Sequence, residues 1–313
     1  MKLGLMYAGQ GSQNPGMGMD FYQESETFRK IFDLLPEAQR ELAFHGPAEK
    51  LSDTRNTQPV MVAFAAGINA LLLPELRKKG IEPAMVAGLS LGEYSALEGA
   101  GVFDAETAIR LVSLRADAMA RAAEGVDCAM KAVLGLDRET VAACCAQAAA
   151  QTGELVQTAN FNCPGQIVIA GQKDAVDQAA ELASEKGAKR CLPLAVSGPF
   201  HTDYMKPAAA VLKEAFSEIR FGEMAFPVIF NCTGEILQDG DSVSKMLERQ
   251  VCSSVYFEDT IRRMEASGVD TIIEVGPGKA LSGFVRKTAR QIRVLSLEKY
   301  TDLEKVLEEV AES

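Results

Sequence analysis

The sequence has few residues from which a metal centre or a disulfide framework could be built. Its 313 residues include only two histidines, and the seven cysteines form no CxxC pair and no regular spacing. Zinc sites and disulfide-rich scaffolds depend on such spacings, so neither is expected. Scattered thiols are typical of a reducing compartment, and we predict a cytoplasmic protein with no metal site.

Positive charge is also scarce. The chain has 32 Lys and Arg against 43 Asp and Glu, which gives a formal net charge of −11. Proteins that bind nucleic acid neutralise phosphates with a basic surface, so general nucleic-acid binding is not expected. Any basic docking site must be local.

Long uninterrupted hydrophobic runs are absent as well. The most apolar stretch, residues 59–76, is interrupted by Gly67, Asn69 and Pro74. We therefore interpret it as a buried helix rather than a membrane span. The apolar run near residue 3 is too short for the core of a signal peptide, so neither membrane insertion nor secretion is expected.

The composition is that of a globular protein, with 47% hydrophobic and 24% charged residues. Collagen-like, disordered and coiled-coil classes are thereby excluded. The length suggests about two domains, because single cores stop growing at roughly 250–300 residues.

Both ends of the chain alternate between predicted strands and helices. The predicted strands are residues 3–8, 84–89, 227–230 and 271–275. The predicted helices are residues 19–34, 59–80, 92–99, 105–123, 241–251, 257–267, 279–288 and 302–309. This alternation favours a mostly parallel sheet with helices on both faces.

The middle of the chain has a different order. Residues 128–134, 138–150, 155–160, 166–170, 175–185 and 189–194 read as β-α-β-β-α-β, which is the ferredoxin-like unit. The predicted fold class is therefore α/β: an α/β-hydrolase-like core with a mostly parallel sheet, and an inserted ferredoxin-like (βαββαβ) subdomain. We assign residues 1–125 and 197–313 to the core and residues 126–196 to the insertion.

A G-x-S-x-G pattern is present at Gly88-Leu89-Ser90-Leu91-Gly92. It lies between a predicted strand and a predicted helix, where two glycines permit the sharp turn that exposes a nucleophilic serine. The N–H groups at the start of the following helix could stabilise an oxyanion. The alternative is a plain glycine-rich connection between strand and helix.

A serine nucleophile needs a base, most often histidine. His45 is flanked by polar residues and is expected in a surface loop. His201 follows the last strand of the inserted unit and precedes a helix that begins near Asp203, a place where catalytic residues collect in α/β folds. By elimination, His201 is the base if Ser90 is the nucleophile.

Arg115 interrupts the apolar face of its helix. At helical spacing it shares that face with alanine, leucine, valine and methionine side chains. A buried charge needs an anionic partner, and arginine suits a carboxylate because it can bind both oxygens. We predict a clamp for a substrate carboxylate; the alternatives are a guanidinium that reaches solvent or one paired with a structural Asp.

Two glycine-rich loops do not match nucleotide-binding motifs. Residues 9–14 lack the third glycine of GxGxxG, and residues 276–279 lack the first glycine and the Ser/Thr of a P-loop. The first loop could instead place the Gln10 N–H against a reacting carbonyl, and the second is expected to cap a helix.

Taken together, several motifs resemble those of malonyl-CoA:acyl carrier protein transacylases, in the family's order and over nearly the whole chain. They are GQGSQ at 9–13, GLSLGEYSA at 88–96, SLR at 113–115, NFNCPGQ at 160–166, GPFH at 198–201, MKP at 205–207 and EVGPGK at 274–279. The ferredoxin-like insertion is also part of the family's architecture.

The resemblance implies a ping-pong transfer of malonyl from malonyl-CoA to the phosphopantetheine thiol of acyl carrier protein, without a cofactor and in support of fatty acid synthesis. It implies Ser90 as nucleophile, His201 as base and Arg115 as the malonyl ligand. The amides of Gln10 and Leu91 would form the oxyanion hole.

The resemblance extends to two further site residues and includes one departure. Gln250 matches an active-site glutamine, and main-chain carbonyls are implied to orient the histidine. Phe200 matches a malonyl-selective pattern. The departure is Leu89, where the family usually has histidine before the nucleophile.

Three alternatives remain open. A stand-alone malonyl acyltransferase of a polyketide synthase would use the same chemistry. An acyl hydrolase would use the same pair of residues and admit water, and a non-catalytic acyl-carrier-binding module would not need Ser90. Because carrier proteins are acidic, two basic clusters are candidate docking sites: Lys186, Lys189 and Arg190, and Arg286, Lys287 and Arg290.

Overall fold

The structure is a computed structural model that describes residues 1–312. Its nine β-strands form two sheets. In chain order the strands are β1 (Leu3–Tyr7), β2 (Met85–Gly88), β3 (Cys128–Leu134), β4 (Val156–Cys163), β5 (Gln166–Gln172), β6 (Arg190–Pro193), β7 (Val228–Ile229), β8 (Thr271–Val275) and β9 (Arg293–Leu297).

Helices surround both sheets. They are α1 (Met19–Glu24), α2 (Glu26–Phe32), α3 (Glu37–His45), α4 (Ala48–Leu51), α5 (Thr54–Lys78), α6 (Gly92–Gly99), α7 (Ala105–Ala123), α8 (Arg138–Thr152), α9 (Lys173–Glu185), α10 (Lys206–Ser217), α11 (Val243–Val251), α12 (Phe257–Ala266), α13 (Ala280–Thr288) and α14 (Tyr300–Ala311). A single 3₁₀ turn, Asp203–Met205, precedes α10.

The first sheet has the order β7-β2-β1-β8-β9 and all of its pairings are parallel. Every residue of β1, β2 and β8 is buried, as expected for strands whose two faces are both covered. The predicted α/β class with a parallel core sheet is confirmed.

The second sheet is antiparallel, with the order β4-β5-β3-β6. With α8 and α9 packed on it, it has the predicted β-α-β-β-α-β sequence of elements. All of these elements lie between Cys128 and Pro193, while the domain boundaries at 126 and 196 stay a prediction.

Three adjacent strands of the parallel sheet direct their carboxyl ends to one edge. The loop after β1 contains Gln10, the loop after β2 contains Ser90, and the loop after β8 contains residues 276–279. Strand β2 lies on one side of β1 in the sheet, and β8 lies on the other side. Such a reversal of strand order opens a crevice at the carboxyl ends, where ligands bind in α/β sheets.

Helix α5 begins earlier than predicted and continues through two prolines. Asp53 caps its start by accepting the Arg55 N–H. Pro59 cannot donate to the Arg55 carbonyl, and Gln39 Nε2 donates to that oxygen instead, at 3.2 Å. Helix α5 is long and apolar enough to cross a membrane, but 78% of its most apolar window is buried inside the protein.

Other sequence expectations need correction. The helix predicted over residues 19–34 is two helices, because Ser25 is extended and its side chain caps α2 through the Phe28 N–H. His45 does not lie in a loop but is the last residue of α3, with an exposed side chain. Strand β9 was not predicted, since most of its residues are partly exposed and it is an edge strand.

Candidate active site

Ser90 occupies a strained turn between β2 and α6, with φ of +54°. The flanking glycines are required by close backbone contacts. A Cβ on Gly88 would lie 1.9 Å from the Gly92 backbone, and a Cβ on Gly92 would lie 2.4 Å from the Tyr7 carbonyl oxygen. This geometry matches the predicted elbow and is not that of a plain connection.

His201 lies against Ser90 although the two residues are 111 positions apart. Its Nε2 is 2.8 Å from Ser90 Oγ, and its Nδ1 is 3.0 Å from the carbonyl oxygen of Gln250. The residue is buried and has a positive φ of 61°. Burial, together with the nearby Arg115 charge, lowers the His201 pKa from 6.5 to about 4, so the imidazole is neutral at pH 7.

Arg115 is 1% exposed and its guanidinium reaches the same serine. Its hydrogen bonds go to Ser90 Oγ at 3.0 Å, Gln250 Oε1 at 3.0 Å and Gln58 Oε1 at 2.6 Å. All three acceptors are neutral, and no carboxylate within residues 1–312 forms an ion pair with Arg115. The guanidinium therefore neither reaches solvent nor pairs with a structural Asp. Burial lowers its pKa.

Gln250 connects the other groups. Its Nε2 donates to the Ser90 carbonyl at 2.8 Å, its Oε1 accepts from Arg115, and its backbone carbonyl faces His201. It is fully buried on α11. One residue thus ties the serine, the histidine and the arginine together.

Gln58 was not identified from the sequence, because it lies inside the apolar helix α5 like any core residue. Its Nε2 donates to Thr54 Oγ1 at 2.8 Å, and Thr54 Oγ1 donates to Gln10 Oε1 at 3.0 Å. This relay connects Arg115 to the loop after β1. A polar side chain on the buried face of a helix was the available signal.

Gln10 and Leu91 place two backbone N–H groups near Ser90, in the loops after β1 and β2. Neither amide donates to a protein group in the part of the chain that the structure describes. Gln10 borders the cavity at Ser90, and the Leu91 side chain is buried. That these amides form an oxyanion hole stays a prediction.

A cavity of about 270 Å³ opens onto Ser90, Arg115 and His201. The loop after β1 and α13 line it from the parallel sheet, and Met130, Asn160, Asn162 and Val168 line it from the antiparallel sheet. The Phe200 ring is 6% exposed and forms part of the wall. The site therefore lies between the two sheets.

Leu89 also lines this cavity and is partly buried. It packs against the loop after β1, where a Cβ on Gly9 would lie 3.1 Å from Leu89 Cγ. The side chain that replaces the family's usual histidine therefore serves as an apolar wall.

Asn231 and Glu93 complete the elbow and were not singled out from the sequence. Asn231 bonds to the backbone at Ser90 and Gly88, and Glu93 Oε2 accepts the Asn231 N–H at 2.6 Å. Both are fully buried. Burial raises the pKa of Glu93 to about 8. The only indication of this pair in the sequence was an acidic residue one turn after Ser90, on a helix with a buried face.

Residues 1–312 contain no group of three or more His, Cys, Asp or Glu that could hold a metal ion.

Comparison with known proteins agrees with this geometry. Residues 5–307 match the acyl transferase domain family. The chain belongs to this family.

Curated relatives narrow the assignment to one branch of the acyl transferases. The chain is 40% identical over 300 residues to a malonyl CoA-acyl carrier protein transacylase of Bacillus subtilis, covering 95% of this chain and 93% of the relative. It is 38% identical over 308 residues to the protein of that name from Escherichia coli K12, covering 97% and 98%.

Solved structures give the same result. An acyl carrier protein S-malonyltransferase from Vibrio cholerae superposes with a TM-score of 0.90 at 39% identity, over 98% of this chain and all of that one. A malonyl-transacylase in complex with its type II PKS acyl-carrier protein superposes with a TM-score of 0.92 at 37% identity, over 99% and 100%. The resemblance to malonyl transacylases inferred from the motifs is confirmed.

Proposed function

We propose that this acyltransferase moves malonyl from malonyl-CoA to the phosphopantetheine thiol of acyl carrier protein through a malonyl-Ser90 intermediate. The observation that carries the proposal is the buried Arg115 charge beside Ser90 Oγ, whose hydrogen bonds all go to neutral groups. Glu93 acts on this charge electrostatically but forms no ion pair with it. A buried charge without an ion-pair partner is costly, so the site favours an acyl group that brings its own carboxylate. Malonyl meets this requirement and acetyl does not.

In the first half-reaction, Ser90 Oγ attacks the thioester carbonyl carbon while His201 Nε2 accepts the hydroxyl proton. The amides of Gln10 and Leu91 stabilise the oxyanion. When the tetrahedral intermediate collapses, the C–S bond breaks and His201 returns the proton to the coenzyme A sulfur. Malonyl remains as an ester on Ser90.

The second half-reaction repeats these steps with a different nucleophile. His201 takes the proton of the phosphopantetheine thiol, the thiolate sulfur attacks the ester carbonyl, and the bond between the malonyl carbonyl carbon and Ser90 Oγ breaks. The proton passes from His201 to Ser90 Oγ. No cofactor is needed, because every proton and every negative charge is handled by these side chains and amides.

Acyl selectivity follows from two contacts of the cavity. Arg115 binds the malonyl carboxylate, with Gln250 holding the guanidinium in place. Phe200 lines the cavity beside His201, and the resemblance to malonyl-selective acyltransferases supports a role for its ring in excluding a methyl-branched acyl group. Supply of malonyl units to fatty acid synthesis in the cytoplasm is the pathway that these roles support. Delivery to a polyketide carrier protein is the second candidate, favoured by the similarity to the solved complex.

Intact-protein mass spectrometry after brief mixing with malonyl-CoA tests the proposal. We expect a malonyl adduct on the native enzyme that moves to phosphopantetheinylated carrier protein when it is added. Ser90→Ala should give no adduct, and His201→Ala should form it about 10²- to 10⁴-fold more slowly, the usual contribution of a general base.

Two outcomes would contradict the proposal. Release of coenzyme A without malonyl reaching the carrier would indicate a hydrolase. Formation of the adduct by Ser90→Ala would show that the nucleophile is elsewhere.

A further inference from the structure

The backbone of Ser90 is held in an unfavourable conformation by a side chain from a distant part of the chain. A left-handed conformation costs about 1–2 kcal/mol for a residue with a Cβ, and it persists only where the surroundings over-determine it. Asn231, two residues after β7, bonds on both sides of the turn. Its Oδ1 accepts the Ser90 N–H at 2.7 Å, and its Nδ2 donates to the Gly88 carbonyl at 2.7 Å.

Asn231 is itself fixed on its backbone. Its N–H donates to Glu93 Oε2 at 2.6 Å, and its carbonyl accepts the Tyr256 N–H at 2.8 Å. The residue is fully buried. Because Glu93 lies on α6, the contacts form a closed loop from the helix through Asn231 back to the turn. A flipped amide would set its NH₂ against the Ser90 N–H, so only one orientation is satisfied.

These contacts determine where Ser90 Oγ points. The hydroxyl must lie close to both His201 Nε2 and Arg115 Nη2, at 2.8 and 3.0 Å. The Ser90 N–H is already occupied by Asn231, which leaves the Leu91 N–H as the free amide on this side of the elbow. A small rotation of the Ser90 backbone would separate the hydroxyl from its base.

We propose that Asn231 is a positioning residue for acyl transfer, which holds Ser90 in its reactive conformation while Glu93 holds Asn231. It touches neither substrate nor the reacting atoms. The inference rests on the proposed function in one respect, that Ser90 is the nucleophile.

The test compares Asn231→Ala with the native enzyme by two readouts. Steady-state transfer should show kcat reduced about 10- to 100-fold, since misplacement of about 1 Å can cost 10²-fold. The KM for malonyl-CoA should change less than about twofold, because the cavity and Arg115 are intact. Labelling of Ser90 by phenylmethylsulfonyl fluoride should slow to a similar extent as kcat.

Asn69→Ala is the matched control. Asn69 is also a buried asparagine with several side-chain hydrogen bonds, to Tyr7, Ser95 and Glu98, and it has no bond to the elbow. Its loss should lower the melting temperature while kcat per folded molecule and the labelling rate stay native.

If Asn231→Ala does not fold, Asn231→Asp takes its place: it keeps the shape and the acceptor for the Ser90 N–H but loses the donor to Gly88. The inference is overturned if the folded variant retains kcat within about threefold, if Asn69→Ala loses as much, or if neither variant at 231 folds. Failure of the proposed function is distinguishable, because the native enzyme would then form no malonyl adduct while the labelling comparison would still be readable.

Discussion

The Nδ1 atom of His201 lies 3.0 Å from the backbone carbonyl oxygen of Gln250. A carbonyl can only accept, so this contact places the ring hydrogen on Nδ1 and leaves Nε2 free to take the Ser90 proton. Burial and the Arg115 charge lower the pKa of His201 and outweigh the orienting carbonyl, which raises it but carries no negative charge and so favours the imidazolium less than a carboxylate would. In the proposed mechanism the base is therefore a neutral, buried histidine in a dyad with Ser90 rather than the member of a triad with a carboxylate.

The pH dependence of acylation should reflect this environment. The folded pKa of His201, about 4, lies below the value of 6.5 for a free histidine. The base therefore stays deprotonated as the pH falls from 8 to about 5, and we expect a flat single-turnover acylation rate over that range, with an acid limb near pH 4. A limb centred near pH 6.5 would contradict the assigned environment.

The same shift has a consequence for stability. Below pH 6.5 the unfolded chain binds a proton at this position more readily than the folded protein does. His201 therefore contributes a loss of stability as the pH falls from 6.5 toward 4, and no change above 6.5. Thermal unfolding measured between pH 6.5 and pH 4 is the control for the rate profile, because it separates a fall in rate due to unfolding from one due to protonation of His201.

Replacement of Arg115 should change the selectivity between malonyl and acetyl more than the ability of Ser90 to be acylated. In Arg115→Ala the malonyl carboxylate loses its partner, and losing one member of a buried charge pair costs about 2–5 kcal/mol. We expect the ratio of malonylation to acetylation to fall by a factor between about 30 and about 4,000, since about 1.4 kcal/mol is a factor of ten. Initial acylation rates with malonyl-CoA and acetyl-CoA measure this ratio.

Arg121→Ala is a suitable control for Arg115→Ala, since Arg121 lies on the same helix with an exposed side chain paired with Asp117. It should leave the ratio unchanged. An equal loss of both acyl groups in Arg115→Ala would assign Arg115 a structural role.

The elbow should not tolerate a methyl group at position 88, two residues before the nucleophile. In Gly88→Ala the new Cβ would lie 1.9 Å from the Gly92 backbone, which cannot move aside as a flexible side chain could. We expect a loss of about 3 kcal/mol or more in the free energy of unfolding, the upper end for overpacking. Chemical denaturation measures it.

Gly283→Ala is the matched glycine substitution, because a Cβ at Gly283 in helix α13 meets nothing within 4 Å. It should be stabilising by about 0.5–1 kcal/mol, the helix preference of alanine over glycine. Similar effects of the two substitutions would contradict the packing argument.

Charge reversal in a basic cluster that docks the carrier protein should weaken carrier-protein binding, whereas reversal of other surface charges should not. Arg286 is exposed on α13, which lines the cavity through Phe284, and Arg190 is exposed on β6, just before the cavity-lining residues 194–196. Charge reversal in the cluster that docks carrier protein, by Arg286→Glu or by Arg190→Glu, should raise the KM for carrier protein about tenfold and weaken its salt dependence, with kcat little changed.

Lys305→Glu makes the same charge change on the exposed face of α14, a helix that contributes no residue to the cavity lining. Its KM for carrier protein should remain native. A cluster whose reversal leaves both KM and salt dependence unaltered is not the docking site.

Local patterns were sufficient for most elements and for the type of site. Helices α6 and α7 and strands β3 and β8 have the predicted bounds. The turn at Ser90 was predictable because the glycines that its strained backbone requires lie beside it in the sequence. Arg115 was predictable because one charged residue on an apolar helix face is visible without any partner.

The partners of these residues were decided only by the tertiary structure. Asn231 and Gln250 bond to Ser90 from 141 and 160 residues away, and Gln58 reaches Arg115 from 57 residues away. Composition and periodicity describe neighbours along the chain and carry no information on such distant hydrogen bonds; Gln250 was reached by resemblance alone. The sequence by itself thus determined most of the strands and helices, the elbow and the buried charge. The fold decided which neutral groups surround that charge and hold the nucleophile, because those contacts exist only when the carboxyl ends of β1, β2 and β7 come together.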